Sequence, residues 1–323
     1  MKLLFELSGE NTTLPVAELE CVGTVLAKRA QVAVVECPDP NLARRLAMTH
    51  VVLEYMGECD PEIGAFRILL RDLAIGTKHS FSGRVKKVHA GSIKTVQHCS
   101  LREFERLIGT MIDGPVDLSA PESEYRAIIS EDRCYFGKVL FSIDRGGYDK
   151  RNPGKRAFFH PGVMMPRMAR ALVNISCAQP GNRLLDPFCG TGGILIEAML
   201  LRTDAVGTDF DPLMIQGSRQ NVPKSSLLIA DATRLPLHDA SVDAVVTDLP
   251  YGQSVAIKKE GTLERLYDNT FLEVRRVLKP GKRAVIVTHK DIGEIAAQHM
   301  HVIQRHEQRV HKSLTRRILV LDK

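Results

Sequence analysis

The sequence predicts an α/β protein whose C-terminal half is a Rossmann-like, mostly parallel sheet with an antiparallel hairpin at its end. The first observation is a regular alternation of apolar runs and helical segments after residue 163. The runs are RLLD, DAVGTD, SLLIAD, VDAVVTD and RAVIVTH, and the helices begin at GGILIEAMLL, PLMIQGSRQN and TLERLYDNTFLEVRRVL. The second observation is that these runs are apolar throughout, which is typical of parallel strands covered on both faces. The third is the C-terminal pair VIQRHEQRV and RRILVLDK, which predicts the hairpin.

The N-terminal half predicts a smaller α+β arrangement. KLLFELS, VAVVEC and VVLEYMG predict strands, whereas PVAELECVGTVLAKR and PNLARRLAMTH predict helices, which suits a helix-on-sheet unit over residues 1–57. SLREFERLIGTMID predicts a helix and YRAIISEDRCYFGKVLFS predicts two β-rich runs, so a second unit is expected over residues 58–143. Residues 144–162 are rich in glycine, proline and basic side chains and predict a linker to a domain at 163–323.

Length and composition predict ordinary globular material without a membrane span. The 323 residues are 44% hydrophobic and 25% charged, which favours two or three domains. There is no run of eighteen apolar residues, and MKLLFELSGENTT lacks the features of a signal peptide, so we expect the cytoplasm. Seven cysteines without a Cys-x-x-Cys pair predict reduced thiols and argue against zinc. A net charge of +6 favours a polyanionic partner, although many proteins this basic bind none.

Four acids follow four successive predicted strands of the C-terminal half. Asp186 opens the segment DPFCGTGG, Asp209 ends GTD, Asp231 follows SLLIA and Asp248 ends VDAVVTD. The carboxyl ends of parallel strands meet at one edge of a sheet, where ligands bind in doubly wound folds, so we expect the four acids to line one site. Each acid taken alone is equally well explained as a helix cap, but the ordered set is not.

The glycine-rich loop after the first of these strands predicts close approach of a ligand to the backbone. Gly190 and Gly192 permit that approach and open a helix. A loop built for phosphates would avoid a carboxylate beside it, and this loop begins with Asp186. The ligand is therefore not expected to place an anion there.

The remaining acids predict the identity of that ligand. Asp209 lies roughly twenty residues further on, where a carboxylate can accept both hydroxyls of a ribose, and Asp231 is placed to accept from an adenine amine. S-adenosylmethionine is an adenosine with a cationic, amine-bearing tail, and it meets these requirements. The residues predicted to bind this cofactor are Asp186, Phe188, Gly190, Thr191, Gly192, Asp209, Phe210, Asp231, Ala232 and His160.

The segment Asp248–Tyr251 predicts catalysis on the amine of a base. Asp248 and the carbonyl of Leu249 can accept hydrogens from an exocyclic amine, Pro250 stiffens the turn, and Tyr251 offers a face for stacking. An aryl amine is a poor nucleophile because the ring shares its lone pair. Two acceptors turn that lone pair toward a sulfonium methyl group, and Asp248 can then take the proton, so no metal is required. The alternative is a plain turn with a capping acid and a partly buried tyrosine.

These segments resemble the S-adenosylmethionine-dependent amino-methyltransferases. Their signature is Asp/Asn/Ser-Pro-Pro-aromatic, and the chain departs from it only at Leu249, which retains the backbone carbonyl. KRAFFHPGVMMPRMARALVN and EQRVHKSLTRRI look like the family that methylates guanosine at position 10 of tRNA. PVAELECV and VDLSAPESEYRAIISEDRCYFG resemble the ferredoxin-like unit and THUMP domain of that family, so the resemblance covers nearly the whole chain.

The resemblance implies both an architecture and an activity. It implies a ferredoxin-like domain at 1–57, a THUMP RNA-binding domain at 58–143 and a class I methyltransferase domain at 163–323. The implied reaction is methylation, and in archaeal members dimethylation, of the 2-amino group of guanosine 10, which lies in a paired stem and must be flipped out. The alternatives are a guanine amino-methyltransferase for another tRNA position or ribosomal RNA, and a non-catalytic THUMP scaffold.

The resemblance also implies partners. Several relatives depend on a small zinc-binding activator protein, and the predicted edge strand near Leu227–Asp231 is short, apolar and open to strand addition unless a loop covers it. tRNA is the expected polyanion. Its predicted phosphate contacts lie in two basic stretches, whose alternative is a solvated loop, and they are Lys86, Lys87, Lys155 and Arg156.

Overall fold

The computed structural model describes residues 1–88, 100–251, 262–311 and 314–323. The chain divides into two compact units, Met1–Asp144 and Arg145–Lys323. Within the described ranges, no helix has the length and apolar character needed to cross a membrane. The predicted basic stretch RVKKVHAGSIK lies outside the described residues beyond Val88.

The first unit is a seven-stranded sheet with helices. Its strands are β1 (Lys2–Leu7), β2 (Thr24–Arg29), β3 (Val32–Glu36), β4 (Thr49–Cys59), β5 (Phe81–Val88), β6 (Ser123–Ser130) and β7 (Arg133–Ser142). Its helices are α1 (Leu14–Leu19), α2 (Ile63–Leu73) and α3 (Leu101–Met111), with a 3-10 helix at Pro40–Arg45. The strand order is β2-β3-β1-β4-β7-β6-β5, in which only the β5–β6 pair is parallel among the described strands. Phe66 of α2 and Phe104 of α3 meet at 5.0 Å between ring centroids in the core that these helices share with the sheet.

Two predicted helices of this unit are corrected. PVAELECVGTVLAKR becomes helix α1 followed by strand β2, and Gly23 lies between them, where an added Cβ would meet the Glu36 carbonyl oxygen at 2.2 Å. PNLARRLAMTH becomes a single 3-10 helix followed by the start of β4. In both places the pairing of a strand with its neighbours outweighs the helical propensity of leucine, alanine and arginine.

The predicted boundary at residue 57 falls inside β4. That strand pairs with β1 on one side and β7 on the other, so the strands of the two predicted N-terminal units form one continuous sheet. The first compact unit therefore ends at Asp144, close to the second predicted boundary.

The second unit has the predicted Rossmann-like architecture. Its strands are β8 (Arg183–Asp186), β9 (Asp204–Asp209), β10 (Ser226–Ile229), β11 (Val242–Asp248), β12 (Leu278–Thr288), β13 (His301–His311) and β14 (Leu314–Asp322). Its helices are α4 (Gly146–Asp149), α5 (Pro166–Ile175), α6 (Gly193–Leu200), α7 (Pro212–Asn221), α8 (Thr262–Val277) and α9 (Gly293–Ala297), with a 3-10 helix at Pro153–Lys155. The order β10-β9-β8-β11-β12-β14-β13 is parallel up to β12 and antiparallel in the final hairpin, which confirms the predicted fold class.

Residues 145–162 belong to this second unit. The guanidinium of Arg151 donates to the Glu197 carboxylate on α6, with Nε 2.7 Å from Oε1. The backbone of Phe158 exchanges two hydrogen bonds with the side-chain amide of Asn221 on α7, at 3.1 and 2.8 Å. The predicted linker is thus an arm that is hydrogen-bonded to the helices beside the sheet through Arg151 and Phe158.

Candidate active site

The candidate site lies at the carboxyl ends of β9, β8 and β11, which are neighbours in the sheet. Asp209, Asp186 and Asp248 are the last residues of these three strands. The strand order changes direction here, since β9 and β10 lie on one side of β8 and β11 and β12 lie on the other. This is the position at which doubly wound sheets bind ligands.

Asp186 is the most buried of the three carboxylates. Its side chain accepts hydrogen bonds from the Thr247 hydroxyl at 2.7 Å and from the Phe188 backbone nitrogen at 3.2 Å. Burial, followed by the negative charges of Asp209 and Asp248, raises the pKa of Asp186 to about 7 despite these two bonds. A cation placed beside this carboxylate would relieve an unfavourable concentration of negative charge.

The glycine loop is bonded directly to the end of β9. The Gly190 nitrogen donates to Asp209 Oδ2 at 2.9 Å, and burial raises the pKa of Asp209. Gly190 and Gly192 have φ angles of +49° and +79°, which favour glycine. A Cβ at Gly192 would also lie 2.6 Å from the Ser218 hydroxyl oxygen, so this turn passes close to α7 and leaves an open backbone beside the acids.

Other predicted cofactor residues border the same strand ends. Phe210 follows Asp209 with a side chain that is 78% exposed, whereas Thr191 and Ala232 are buried. Asp231 follows β10, is exposed, and accepts hydrogen bonds from the nitrogen and hydroxyl of Thr233 at 2.9 and 2.8 Å. Asp231 therefore makes the local hydrogen bonds expected of a capping acid, which was the alternative to cofactor binding. It also follows the predicted strand.

Two predicted site residues occupy unexpected surroundings. His160 is exposed, and the hydrogen bond described for its ring is made with the adjacent Pro161 carbonyl oxygen at 3.0 Å, so its contact with the cofactor remains a prediction. Arg156 is corrected as a phosphate contact because both of its terminal nitrogens are buried and have no partner among the described residues. Its Nε donates to the Arg151 carbonyl oxygen at 3.1 Å, and a Cβ added to Gly193 would lie 3.0 Å from its Nη1.

Asp248 stands at the end of β11 with two polar neighbours. The Tyr251 hydroxyl donates to Asp248 Oδ1 at 2.8 Å, and Arg316 Nε lies 3.9 Å from Asp248 Oδ2. Burial raises the pKa of Asp248 to about 6, although the positive charge of Arg316 and the hydrogen bond from Tyr251 oppose that rise. The carboxylate is therefore the charged form above about pH 6, and its basicity exceeds that of an exposed aspartate.

The backbone after Asp248 is fixed on both sides of the Leu249 carbonyl. The Leu249 nitrogen donates to the Val287 carbonyl oxygen at 2.9 Å, and its side chain is 2% exposed within the core. The Tyr267 hydroxyl donates to the Pro250 carbonyl oxygen at 2.7 Å. Leucine in place of the family's proline supplies an N–H that proline lacks, so hydrogen bonds at Leu249 and at the Pro250 carbonyl hold the backbone on either side of the Leu249 carbonyl.

The sequence interpretation missed two residues of this site. Arg316 of β14 is 7% exposed, and its Nε also lies 3.4 Å from the Tyr251 hydroxyl oxygen. The ring of His289 lies 4.7 Å from that of Tyr251 at an interplanar angle of 47°, and burial lowers the pKa of His289. One signal for Arg316 was available, because it shares the alternating phase of the buried Ile318.

The predicted basic contacts of the first unit have mixed surroundings. The ammonium of Lys86 pairs with Glu6, whose carboxylate is 2% exposed and also binds Arg126 Nη1 at 2.6 Å. Lys86 therefore balances a buried charge, and a further contact with phosphate remains a prediction, as it does for Lys87. Lys155, in the second unit, is exposed. The described residues contain no group of three or more side chains arranged to hold a metal ion.

Comparison with known proteins assigns relatives to this arrangement. Residues 153–318 match the family model UPF0020, described as RMKL-like, methyltransferase domain. The tRNA (guanine(10)-N2)-dimethyltransferase of Methanothermobacter thermautotrophicus is 33% identical over 100% of both chains. The tRNA (guanine(6)-N2)-methyltransferase of Thermus thermophilus is 31% identical over 58% of this chain and 57% of the relative. The crystal structure of TrmN from Thermus thermophilus superposes with a TM-score of 0.53 at 20% identity over 100% of both chains, which shows a common fold.

Proposed function

The chain belongs to the RMKL-like methyltransferase-domain family, and we propose that it methylates the exocyclic 2-amino group of guanosine at position 10 of tRNA. The observation that carries the proposal is the end of β11, where Asp248 lies beside a Leu249 carbonyl whose direction is fixed. Position 10 is favoured because the relative named for it matches over both full lengths, whereas the Thermus thermophilus relative named for position 6 matches over 57% of its own length.

The cofactor in this proposal is S-adenosylmethionine, which supplies an electrophilic sulfonium methyl group when it is bound. The residues present fit it. Asp186 offers a buried carboxylate to its ammonium group, and Asp209 offers a carboxylate to the ribose hydroxyls. The exposed ring of Phe210 and the end of β10 at Asp231 and Ala232 are available to the adenine.

The proposed chemistry depends on Asp248 and on the carbonyl after it. One hydrogen of the guanine amine is donated to the carboxylate of Asp248, and the other is donated to the Leu249 carbonyl oxygen, so the nitrogen lone pair turns out of conjugation with the ring. The amine nitrogen would bond to the methyl carbon as the methyl–sulfur bond breaks and a neutral thioether leaves, and the cationic amine would then pass its proton to Asp248. After one transfer the amine still has a hydrogen to donate, so a second methyl transfer by the same residues is chemically consistent.

The first compact unit is the proposed RNA-binding part of the molecule. We propose that the ferredoxin-like part, predicted at 1–57, and the THUMP part, predicted at 58–143, share the sheet described for this unit and are joined through β4. Lys87 and Lys155 are the proposed phosphate contacts, with Lys86 contributing from its pair with Glu6. A protein with these substrates is proposed to act in the cytoplasm.

An activator protein is the second proposed partner. Strand β10 lies at the edge of the second sheet, as the sequence predicted, and Leu228 and Ile229 on it are 41% and 59% exposed. An apolar edge strand of this kind is suited to the addition of a strand from another chain. We propose that a small zinc-binding methyltransferase activator pairs with the edge near Leu227–Asp231.

The reacting group can be tested by removing one amine from the RNA. Inosine differs from guanosine only by the absence of the 2-amino group. We expect methyl groups from labelled S-adenosylmethionine to enter an unmodified tRNA, and to be lost when inosine replaces guanosine at position 10. Equal labelling of both tRNAs would contradict position 10, and labelling of ribosomal RNA alone would replace tRNA as the substrate.

A further inference from the structure

Arg316 is an arginine inside the candidate site whose role neither the fold nor the relatives assign. Its side chain is 9% exposed, so it cannot act as a surface contact for phosphate. Its Nε lies 3.4 Å from the Tyr251 hydroxyl oxygen and 3.9 Å from Asp248 Oδ2. The Arg316 guanidinium therefore lies close to both Asp248, the proposed proton acceptor, and Tyr251, the proposed stacking residue. Arg316 nevertheless lies on β14, the last strand of the second unit.

The ionisable groups around Asp248 make Arg316 the dominant positive charge there. Strand β8 contributes the buried carboxyl of Asp186, and α8 contributes the Tyr267 phenol, whose pKa burial raises to about 12. At the end of β12, burial lowers the pKa of His289, and the positive charges of Lys290 and Arg317 lower it further. The Tyr251 phenol is also neutral, because burial raises its pKa to about 12. Lys290 and Arg317 act on His289, whereas Arg316 is the cation among the described side chains whose charge acts on Asp248.

We propose that Arg316 is a positioning residue. It keeps the Asp248 carboxylate charged and holds Tyr251 at the point where the guanine base enters the site. The proposal rests on the proposed function, since it assumes that Asp248 accepts hydrogens of the guanine amine. The Tyr251 hydroxyl donates to Asp248 Oδ1 at 2.8 Å and so fills one acceptor position of the carboxylate. A guanine amine must take over that position, which frees the tyrosine ring to stack on the base while the guanidinium remains beside both groups.

The first test replaces Arg316 by methionine, which retains much of the apolar volume and removes the charge. Without the guanidinium, the carboxyl of Asp248 is protonated at higher pH. With S-adenosylmethionine kept saturating at every pH, the acid limb of the kcat/KM profile for tRNA should move upward from about pH 6 by about one unit or more. The KM for tRNA should stay within about twofold, because a buried side chain offers no phosphate contact. Arg316→Lys should return the limb most of the way to its original pH.

A matched control and a separate variant make the result decisive. Arg305→Met removes the same charge from the neighbouring strand β13, where Arg305 faces Asp291 at 3.7 Å, and it should leave the limb in place. A limb that stays at the wild-type pH in folded R316M, with only a lower rate, would overturn the proposed role of Arg316. Full activity in Asp248→Asn would instead overturn the proposed function, so the two failures are distinguishable.

A second inference comes from the first unit, where Cys59 and Cys134 lie opposite each other on two neighbouring strands of the sheet. They are directly paired residues in the antiparallel ladder between β4 and β7. Cys59 is half-buried and Cys134 is buried. Contact with the Cys134 thiol, with help from the charge of Arg133, lowers the pKa of Cys59, and the same contact together with burial raises the pKa of Cys134.

We infer that Cys59 and Cys134 are a dithiol pair that closes to a disulfide when an organic disulfide is the oxidant. The accessible thiolate of Cys59 attacks one sulfur of the oxidant, and the other sulfur leaves as a thiol after taking a proton. Cys134 then loses its proton and attacks the mixed disulfide at Cys59, which releases the second thiol. The two cysteines lose two electrons and two protons in total, and the oxidant gains both.

Oxidised glutathione is the probe for this pair in the full chain. After treatment, peptide mass mapping without reductant should find Cys59 joined to Cys134, and the oxidised chain should melt about 5 °C higher or more because a long loop has been closed. The double variant Cys59→Ser, Cys134→Ser should show no such rise. A glutathione adduct that persists on Cys59, or a crosslink between other cysteines, would overturn the inference.

Discussion

Asp248 is the single side chain on which the proposed chemistry depends. Replacement by asparagine keeps its size but removes the acceptor charge and the site for the proton. We expect Asp248→Asn to lower the rate of methyl transfer by about 10²–10⁴-fold, with S-adenosylmethionine affinity changed by about twofold or less. Single-turnover rates and calorimetry measure the two quantities.

Asp243→Asn is the matched control for that variant. Asp243 lies on the same strand, but it pairs with Lys279 at 2.7 Å at the far end of β11. The control should transfer methyl groups at close to the wild-type rate. If Asp248→Asn were as active as Asp243→Asn, Asp248 would not be the base.

Asp186 predicts how cofactor affinity depends on pH. Burial raises its pKa to about 7, so in the free protein it becomes protonated as the pH falls through that value. A cationic amine binds the carboxylate form, so the affinity for S-adenosylmethionine should weaken below about pH 7, by up to about tenfold per pH unit. Calorimetry over a pH series measures the slope, and a flat response in the wild-type chain would contradict the placement of the amine beside Asp186.

The residues proposed to carry out the chemistry were easier to predict from the sequence than the residues that surround them. Three of the four predicted acids end neighbouring strands, because an acid directly after an apolar run has a position that the fold alone determines. Arg316 and His289 reach Tyr251 through the pairing of β12 with β14, a tertiary contact. The alternation along β14 indicates that Arg316 is buried but not which residues it contacts. Arg156 was predicted as a phosphate contact because basic, glycine-rich stretches are usually exposed. Its guanidinium is instead buried against the glycine loop.

Among the secondary-structure elements, the edge strand β10 is the one proposed to pair with the activator protein. Leu228→Lys places a charge on an exposed position of this edge strand and should weaken strand addition. Native mass spectrometry should show loss of the complex with a zinc-binding activator, while S-adenosylmethionine binding remains. Leu213→Lys is the control, since Leu213 is 55% exposed but lies on α7. Equal complex formation by both variants would exclude the edge strand as the contact.

The parallel strands were predicted well and two of the shorter N-terminal elements were not. Strands β8 to β11 and the second half of β12 are apolar runs that the sequence identified, whereas the first half of β12, LKPGK, was not predicted as a strand. In contrast, β2 has one exposed face and pairs with β3, and its residues Leu26, Ala27 and Lys28 also suit a helix. Such a strand is selected by its partner in the sheet, which no local window contains.

At the scale of the molecule, the division into an N-terminal sheet and a Rossmann-like domain followed from a change of pattern along the chain. The sequence predicted that change in a linker at 144–162, and along the chain the boundary between the two compact units falls between Asp144 and Arg145. The arm after that point could not be recognised because the partners of Arg151 and Phe158 are Glu197 and Asn221, far along the chain. Long-range polar pairs of this kind are invisible to composition.

The most direct test of the whole account is the identity of the methylated nucleoside. Unmodified tRNA should be incubated with S-adenosylmethionine and the full chain, with and without the activator, then digested and mapped by mass spectrometry. We expect N2-methylated guanosine at position 10, with dimethylguanosine on longer incubation, and formation of both products about 10²–10⁴-fold slower with the Asp248→Asn variant. Methylation of guanosine at another position, or no product despite measurable cofactor binding in the presence of the activator, would contradict it.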